Sequence, residues 1–300
     1  MSKIHQAIRR AEREGRIDTI SPTGVRKDTL EEIRKEFMQP RISENSSSRE
    51  YEQDQKNVPV LGFEHINCAS LGIVPDSKLV SLSAPKSFPS EQYRALKTKL
   101  HQIRNGGGLK TILITSAAAS EGKTLTAVNL ALTIAQEIDQ KVLLVDADLR
   151  RPSVHKMLGL SEENGLADLL RKNLPANQII LKSRIPNLYI TPAGSIPENP
   201  TELLNTQGMR DFLTSAAAQY DWVILDSPPF VPLADAELMS SLVDGILLVV
   251  RASEAPGELI ARTVQALRGK NVLGVVFNCM HNSKKSRYQY YYHGTDEKKG

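Results

Sequence analysis

The 300-residue chain predicts a doubly wound α/β domain on a mostly parallel sheet, with a helical N-terminal extension before it and a flexible C-terminal tail after it. Three observations predict this. Short, continuous Val/Ile/Leu runs recur, which suits strands buried on both faces. The runs alternate with stretches of helical spacing, as in a parallel sheet covered by helices. Three of the runs end in unusual polar residues, at the carboxyl ends where such sheets bind ligands.

Taken in order, residues 3–14 read as a helix, because Ile4, Ala7, Ile8 and Ala11 share one face. Such a helix docks on the body or on another copy. Its apolar face is short and lacks the large aromatics of a membrane-surface helix. A second helix is expected at 28–38, with Asp28 as its N-cap. Residues 1–38 thus form the helical extension. Residues 39–74 read as a mostly disordered linker, since "QPRISENSSSREYEQDQKNV" is polar, Ser-rich and unperiodic. The compact domain is expected over 75–283. It opens with "KLVSLS" as a strand and "SFPSEQYRALKTKLHQIRN" as a helix. The strand "LKTILITS" then leads into the helix "EGKTLTAVNLALTIAQE". Further strands are "KVLLVDAD", "DWVILDSPP", "GILLVVRAS" and "NVLGVVFN", with helices near 199–218, 232–241 and 256–268. Residues 284–300 remain as a tail that holds Tyr288, Tyr290, Tyr291 and Tyr292, half of the eight tyrosines in the chain.

Composition narrows the possibilities. Hydrophobic residues make up 40% and charged residues 24%, ordinary for a domain with a sizeable core. A net charge of +4 is too slight and scattered to argue for nucleic acid. The two cysteines, Cys68 and Cys279, show no CxxC spacing, so neither a disulfide frame nor a zinc site is expected. The N-terminus lacks the apolar core of a signal peptide. No apolar run approaches the roughly 20 residues of a membrane span. The expected location is the cytoplasm, with any membrane association made through a partner or a surface contact.

Three strand ends carry the chemistry. In "TSAAASEGKTLTAVNLA" a strand, a loop of small residues and Gly122-Lys123-Thr124 opening a helix make P-loop architecture. Amides of Ala118, Ala119, Ser120, Glu121, Gly122, Lys123, Thr124 and Leu125 are the expected nucleotide cradle, Lys123 reaches the outer phosphates, and Thr124 offers a hydroxyl to Mg²⁺. Ala117 stands where the strict pattern has its first Gly, which an Ala tolerates only without positive φ. In "KVLLVDADLRRPSVHKMLG", Asp146 and Asp148 follow a strand two residues apart, so both project from one side, and Arg150 and Arg151 come next. Paired carboxylates beside a phosphate site call for a cation. In "DWVILDSPPFVPLADA", Asp226 ends a strand as a Walker B aspartate does. Together the three point to Mg–nucleotide chemistry.

With these motifs the chain resembles the bacterial tyrosine autokinases (BY-kinases) of capsule and exopolysaccharide export, P-loop NTPases of the Walker A/A′/B type. The residues that carry the resemblance are "SAAASEGKT", "LLVDADLR", "VILDSPP" and the terminal "YQYYY", spread over about residues 75–293. The nearest likeness is to free-standing cytoplasmic members. The leader "SKIHQAIRRAERE" is similar to that of the branch linked to exosortase loci. The family's E-x-x-R-x-x-R helix, used in ring assembly, is matched by Glu91, Arg94 and Lys97, with Lys where the second Arg stands. Lys lacks the planar fork of Arg.

The resemblance implies transfer of the ATP γ-phosphoryl group to tyrosine, mostly between subunits of a homo-oligomer. It implies Lys123, Asp146, Asp148 and Asp226 as catalytic, and Mg²⁺ on Thr124, Asp148 and Asp226. Asp146 is the candidate acceptor of the tyrosine proton, although Asp146 and Asp148 can exchange roles. Asn278 and, more weakly, Arg251 end strands where adenine would lie. The four tail tyrosines are the expected phosphoacceptors, and a membrane chain-length protein the expected activator. Two other readings remain. A partition- or septum-type ATPase usually has a lysine five residues before the P-loop lysine, where Ala118 stands here, and no tyrosine tail. A non-catalytic nucleotide-binding scaffold is the other.

Overall fold

The computed structural model describes residues 67–68, 76–160, 164–172, 174–252 and 257–280. The helices expected at 3–14 and 28–38, most of the linker, and the tail tyrosines lie outside the described residues. An eight-stranded sheet runs in the order β1-β4-β5-β3-β6-β2-β7-β8. Its strands are β1 (Asn67–Cys68), β2 (Thr111–Ser116), β3 (Val142–Asp146), β4 (Leu181–Lys182), β5 (Leu188–Thr191), β6 (Trp222–Asp226), β7 (Gly245–Arg251) and β8 (Val272–Asn278). Every pairing is parallel except β4 with β5. β1 falls inside the stretch read as linker and pairs with β4.

The central strands β2, β3 and β6 are buried at every position because both faces are covered. Along β2, Ile112 and Ile114 enter one core while Leu113 enters the other. The same alternation runs through β6, where Trp222 and Ile224 face one side and Val223 and Leu225 the other. On the first face lie α1 (Val80–Ser83), α2 (Phe88–Arg104) and α3 (Lys123–Ala135), which contribute Leu100, Val128 and Ile134. The second face takes α5 (Leu166–Lys172), α7 (Gln207–Gln219), α8 (Ala234–Ser240) and α9 (Gly257–Ala266), with Leu169, Phe212, Met239 and Ile260. Each of these buried Leu or Ile side chains is worth up to about 1.5–3 kcal/mol against exposure. The doubly wound reading of the sequence is therefore the fold observed.

Helix α2 begins where expected. Ser87 caps it by accepting the Ser90 N–H, Pro89 occupies its first turn, and His101 and Arg104 sit in its last turn, toward the negative end of the dipole. "KLVSLS", read as a strand, is instead the short helix α1. Its alternating pattern is overridden by contacts with α3. Asn129 Oδ1 accepts the Ser81 N–H, and the Ser81 hydroxyl meets Asn129 O and Thr133 Oγ1. The helix expected near 199–218 splits into α6 (Pro200–Leu204) and α7, with Thr206 as the second N-cap. Helix α4 (Val154–Leu158), α5, β4 and β5 were not predicted.

Candidate active site

Strand β2 delivers the chain to a loop over residues 117–122, and α3 leaves it at Lys123. Gly122 has φ +94°, and a Cβ there would meet Asn278 Nδ2 at 2.0 Å. Only glycine fits that corner. Ala117 is fully buried and is absent from the left-handed residues, so its methyl is tolerated where the strict pattern has glycine. Ser120, with φ +64°, takes the left-handed turn. Ala119 and Ser120 are exposed at the crest of the loop, while Leu125 packs on the core.

The side chains of Glu121 and Asn278 turn inward to hold the loop. Glu121 is 2% exposed; its carboxylate accepts the Ala118 N–H at 2.8 Å and the Arg251 N–H at 3.4 Å. Burial pushes this carboxyl up, and the backbone donors pull it back. Asn278 donates to Glu121 O at 3.0 Å and accepts the Cys279 N–H at 2.9 Å. Arg251 reaches Ser120 O with a guanidinium nitrogen at 3.4 Å. The ends of β7 and β8 thus brace the P-loop from behind, where the sequence suggested adenine contacts.

The two aspartate motifs converge on the front. Asp146 and Asp226 are register partners at the ends of β3 and β6, both fully buried, and Asp226 O accepts the Ala147 N–H at 2.8 Å. Asp146 Oδ2 accepts the N–H groups of Ser153 and Val154, each at 3.0 Å, and Oδ1 accepts the Asp148 N–H at 3.3 Å. Burial, with the Asp148 charge, pushes Asp146 up to about 7 against these donors. Asp148, slightly exposed, is raised by burial as well, opposed by the Arg151 N–H and the Lys123 charge. Among the described residues, neither carboxylate oxygen of Asp226 finds a hydrogen-bond partner. Burial and then the Asp146 charge hold Asp226 well above the usual carboxylate range, although the Thr124 hydroxyl and Lys123 lie close. Lys123 is itself 8% exposed. The Thr124 hydroxyl contacts Ser153 Oγ at 2.9 Å. The structure thus brings Lys123, Thr124, Asp146, Asp148 and Asp226 together, as their strand-end positions predict.

One ion pair, between an exposed arginine and a buried aspartate, was not legible in the sequence. Arg150 donates to Asp235 through Nε at 2.6 Å and Nη2 at 3.2 Å, and Nη2 also reaches Thr201 Oγ1 at 2.9 Å. Asp235 is 1% exposed on α8. This fork ties the loop after β3 to the segment after β6, 85 residues away. On α2, Arg94 pairs with Glu91 and also donates to Pro85 O at 2.7 Å, while Lys97 pairs with Glu137 at 2.7 Å. All three candidate assembly residues thus have partners within the chain.

Known proteins resemble this chain over the domain that holds the P-loop and the buried aspartates. The family described as AAA domain matches residues 109–268. Tyrosine-protein kinase YwqD of Bacillus subtilis is 38% identical over 71% of this chain and 90% of its own length. The chain belongs to the bacterial tyrosine-protein kinase family. CapB of Staphylococcus aureus, named a putative tyrosine-protein kinase, is 31% identical over 71% of this chain and 93% of its own. Among solved structures, the kinase domain of Escherichia coli tyrosine kinase ETK is similar with a TM-score of 0.66 and 30% identity, covering 74% of this chain and 94% of that one. This family carries a nucleotide-binding P-loop kinase domain, and the partition-type ATPase reading is the weaker one. Among the described residues, no helix is long and apolar enough to cross a membrane.

Proposed function

We propose that the chain transfers the γ-phosphoryl group of ATP to Tyr288, Tyr290, Tyr291 and Tyr292, mostly on a second copy, and thereby regulates the synthesis and export of capsule or exopolysaccharide. One observation supports this most directly. Asp226 is fully buried with both oxygens unpartnered, beside Asp146, Lys123 and Thr124. An orphaned buried carboxylate is costly unless a ligand completes it. Hard oxygen donors in this number fit Mg²⁺, which keeps several waters and takes one or two carboxylates together with substrate phosphates. Thr124, Asp148 and Asp226 would hold it. When bound, Mg²⁺ neutralises charge on the phosphates.

The chain's own residues do the rest. Amides of the 119–125 segment and the start of α3 hold the phosphates, whereas the Ala118 N–H, expected in the cradle, is taken by the Glu121 carboxylate. Lys123 follows the charge that spreads over the transferring group. The tyrosine oxygen forms a bond to the γ-phosphorus, the bond from that phosphorus to the bridging oxygen breaks, and ADP leaves with the electron pair. Asp146, pushed up to about 7 by burial, takes the phenolic proton. A proton acceptor near the operating pH is the efficient choice.

The compact unit is proposed to span 75–283, with 1–38 as a helical extension, 39–74 as linker and 284–300 as the acceptor tail. Its partners are further copies in a ring, through Glu91, Arg94 and Lys97, and a membrane chain-length protein of the polysaccharide machine. That protein would recruit it to the cytoplasmic face of the membrane. Replacing the four tail tyrosines with Phe keeps their rings and removes the acceptor oxygens. An anti-phosphotyrosine blot after incubation with Mg-ATP should then lose most of its signal, with ATP binding retained. If the variant labels fully, the acceptors lie elsewhere, with Tyr51 the first place to look.

A further inference from the structure

Beside the transfer site lies a cavity of about 520 Å³ that the reaction described above leaves unused. Its size suits a side chain or small ligand, within the roughly 300–1,000 Å³ of typical sites. Ser153 forms a wall common to both, since it lines the cavity, touches Thr124 Oγ1 at 2.9 Å and donates its N–H to Asp146. The described lining is cationic and contains no carboxylate. Arg151 and Lys156 are exposed into it, and their side chains make no ion pair among the described residues. Arg150 is held at its edge by Asp235. Pro152, Pro192 and Ile196 supply apolar surface, and Ile196 is 66% exposed.

The far wall is built in advance. Asp168 is 2% exposed and accepts the N–H groups of Gly165 and Ser195, each at 3.1 Å, and the Ser195 hydroxyl at 2.7 Å. Gly165 and Gly194 pack so closely that a Cβ on Gly194 would lie 2.6 Å from Gly165 N. Fixed walls, two cations with no ion pair among the described residues and an apolar rim suit an aryl phosphate better than a bare anion. The ring has surface to lie on, and the phosphate has donors.

We infer that this cavity binds a phosphotyrosine already made on a second copy's tail, and so presents the next tyrosine of that tail to Asp146. The inference rests on the autokinase reading and names how its acceptor is chosen. Charge on the tail argues for the phosphorylated form. Residues 284–300 carry Lys284, Lys285, Arg287, Lys298 and Lys299 against Asp296 and Glu297, so the unmodified tail is repelled by Arg151 and Lys156. Each phosphate adds about −1.5 to −2 charges, so one removes at least half of the tail's net positive charge and sets a local dianion against the two cations. Spacing argues for it too. Tyr288, Tyr290 and Tyr292 are two residues apart, so in extended chain they share one face at about 6.6 Å intervals. One can occupy the cavity while a neighbour lies across the Ser153 wall.

Two arms test this with the full chain carrying Phe at its four tail tyrosines. In the binding arm, a fluorescent peptide of residues 284–300 has phosphotyrosine at 292 and Phe at the other three positions. It should bind at least about tenfold more tightly than the peptide with tyrosine at 292. Arg151→Ala/Lys156→Ala, both at exposed positions, should erase the difference without changing Tm. Phenyl phosphate should compete better than inorganic phosphate. In the kinetic arm, a peptide phosphorylated at 292 with its other tyrosines intact should be labelled with a lower KM than the unphosphorylated peptide, at similar kcat. Equal affinity of the two binding peptides overturns the proposal. So does a preference that survives in the double variant, or equal competition by inorganic phosphate. Failure of the autokinase reading looks different, because no acceptor peptide is then labelled while the binding arm still decides the cavity.

Discussion

Aspartates sit at both ends of the sheet, and the two ends treat them in opposite ways. At the amino end, Asp244 accepts the Lys110 N–H, the Thr111 N–H and the Thr111 hydroxyl at 2.8–2.9 Å, and Asp221 accepts the Lys141 N–H at 2.8 Å. Nearby, Gln140 accepts from Trp222 Nε1 at 3.1 Å, and Arg104 lies over the indole at 4.8 Å. These carboxylates are in contact with solvent, yet they are satisfied. At the carboxyl end, five residues on from Asp221, Asp226 is fully buried and neither of its carboxylate oxygens has a hydrogen-bond partner among the described residues. Burial without partners is the reverse of what stability favours. The amino end holds the sheet together, and the carboxyl end keeps unsatisfied charge in reserve for a ligand.

The largest test of this contrast is Lys123→Met. It should lower autophosphorylation by roughly 10²–10³-fold or more, since the helix N-terminus alone cannot follow the transferring charge. Tm should barely change. Phosphotyrosine retained by the purified variant would place the chemistry elsewhere. At the other end, Asp244→Ala should do the opposite. Loss of its acceptor should cost about 1–2 kcal/mol, or a Tm fall of roughly 2–8 °C, with kcat of the folded protein kept.

Asp226→Asn joins the two measurements. It should abolish transfer yet raise the Tm of the nucleotide-free protein at pH 8 by roughly 2–4 °C, about 1 kcal/mol. The sign follows from the raised carboxyls. Asp146, at about 7, and Asp226 bind protons more tightly folded than unfolded. Their contribution to stability is full below the unfolded value of about 3.9 and is lost as pH rises toward 7 and beyond. Wild type without nucleotide should therefore weaken between pH 5 and 8, and the variant should weaken less. Asp168 does not mask this. Burial would raise it, but the Ser195, Lys172 and Gly165 donors hold it well below the usual range, so its own loss comes only in stronger acid. Mg-ATP should add stability to wild type and little to Asp226→Asn. A variant that loses Tm at pH 8 would mean that the buried charge is compensated after all.

The smallest effect is expected at Asn278→Ala. Losing the bond to Glu121 O should cost about 0.5–1.5 kcal/mol and loosen Gly122, which calorimetry would read as weaker ADP binding. Unchanged ADP affinity would reduce Asn278 to a strand end.

Local chemistry made part of this protein readable from its residues. Strands β2, β3, β6 and β7 announce themselves because a strand buried on both faces must be apolar at successive positions. Lys123, Asp146, Asp148 and Asp226 were legible because the carboxyl end of a parallel strand is where such residues converge. What only the tertiary structure decided depends on partners far along the chain. "KLVSLS" became a helix because Ser81 bonds to Asn129 and Thr133. β5 and the Asp168 wall escaped notice because they are short and are held by neighbours rather than by periodicity. The brace behind the loop, in which the Glu121 carboxylate takes the Ala118 N–H and Asn278 donates to Glu121 O, also joins groups that only folding brings together. The pairing of Arg150 with Asp235 and the isolation of Asp226 are likewise properties of packing. Sequence spacing sets which end of a strand a side chain occupies, but whether a buried charge finds a donor depends on which distant segments fold against it.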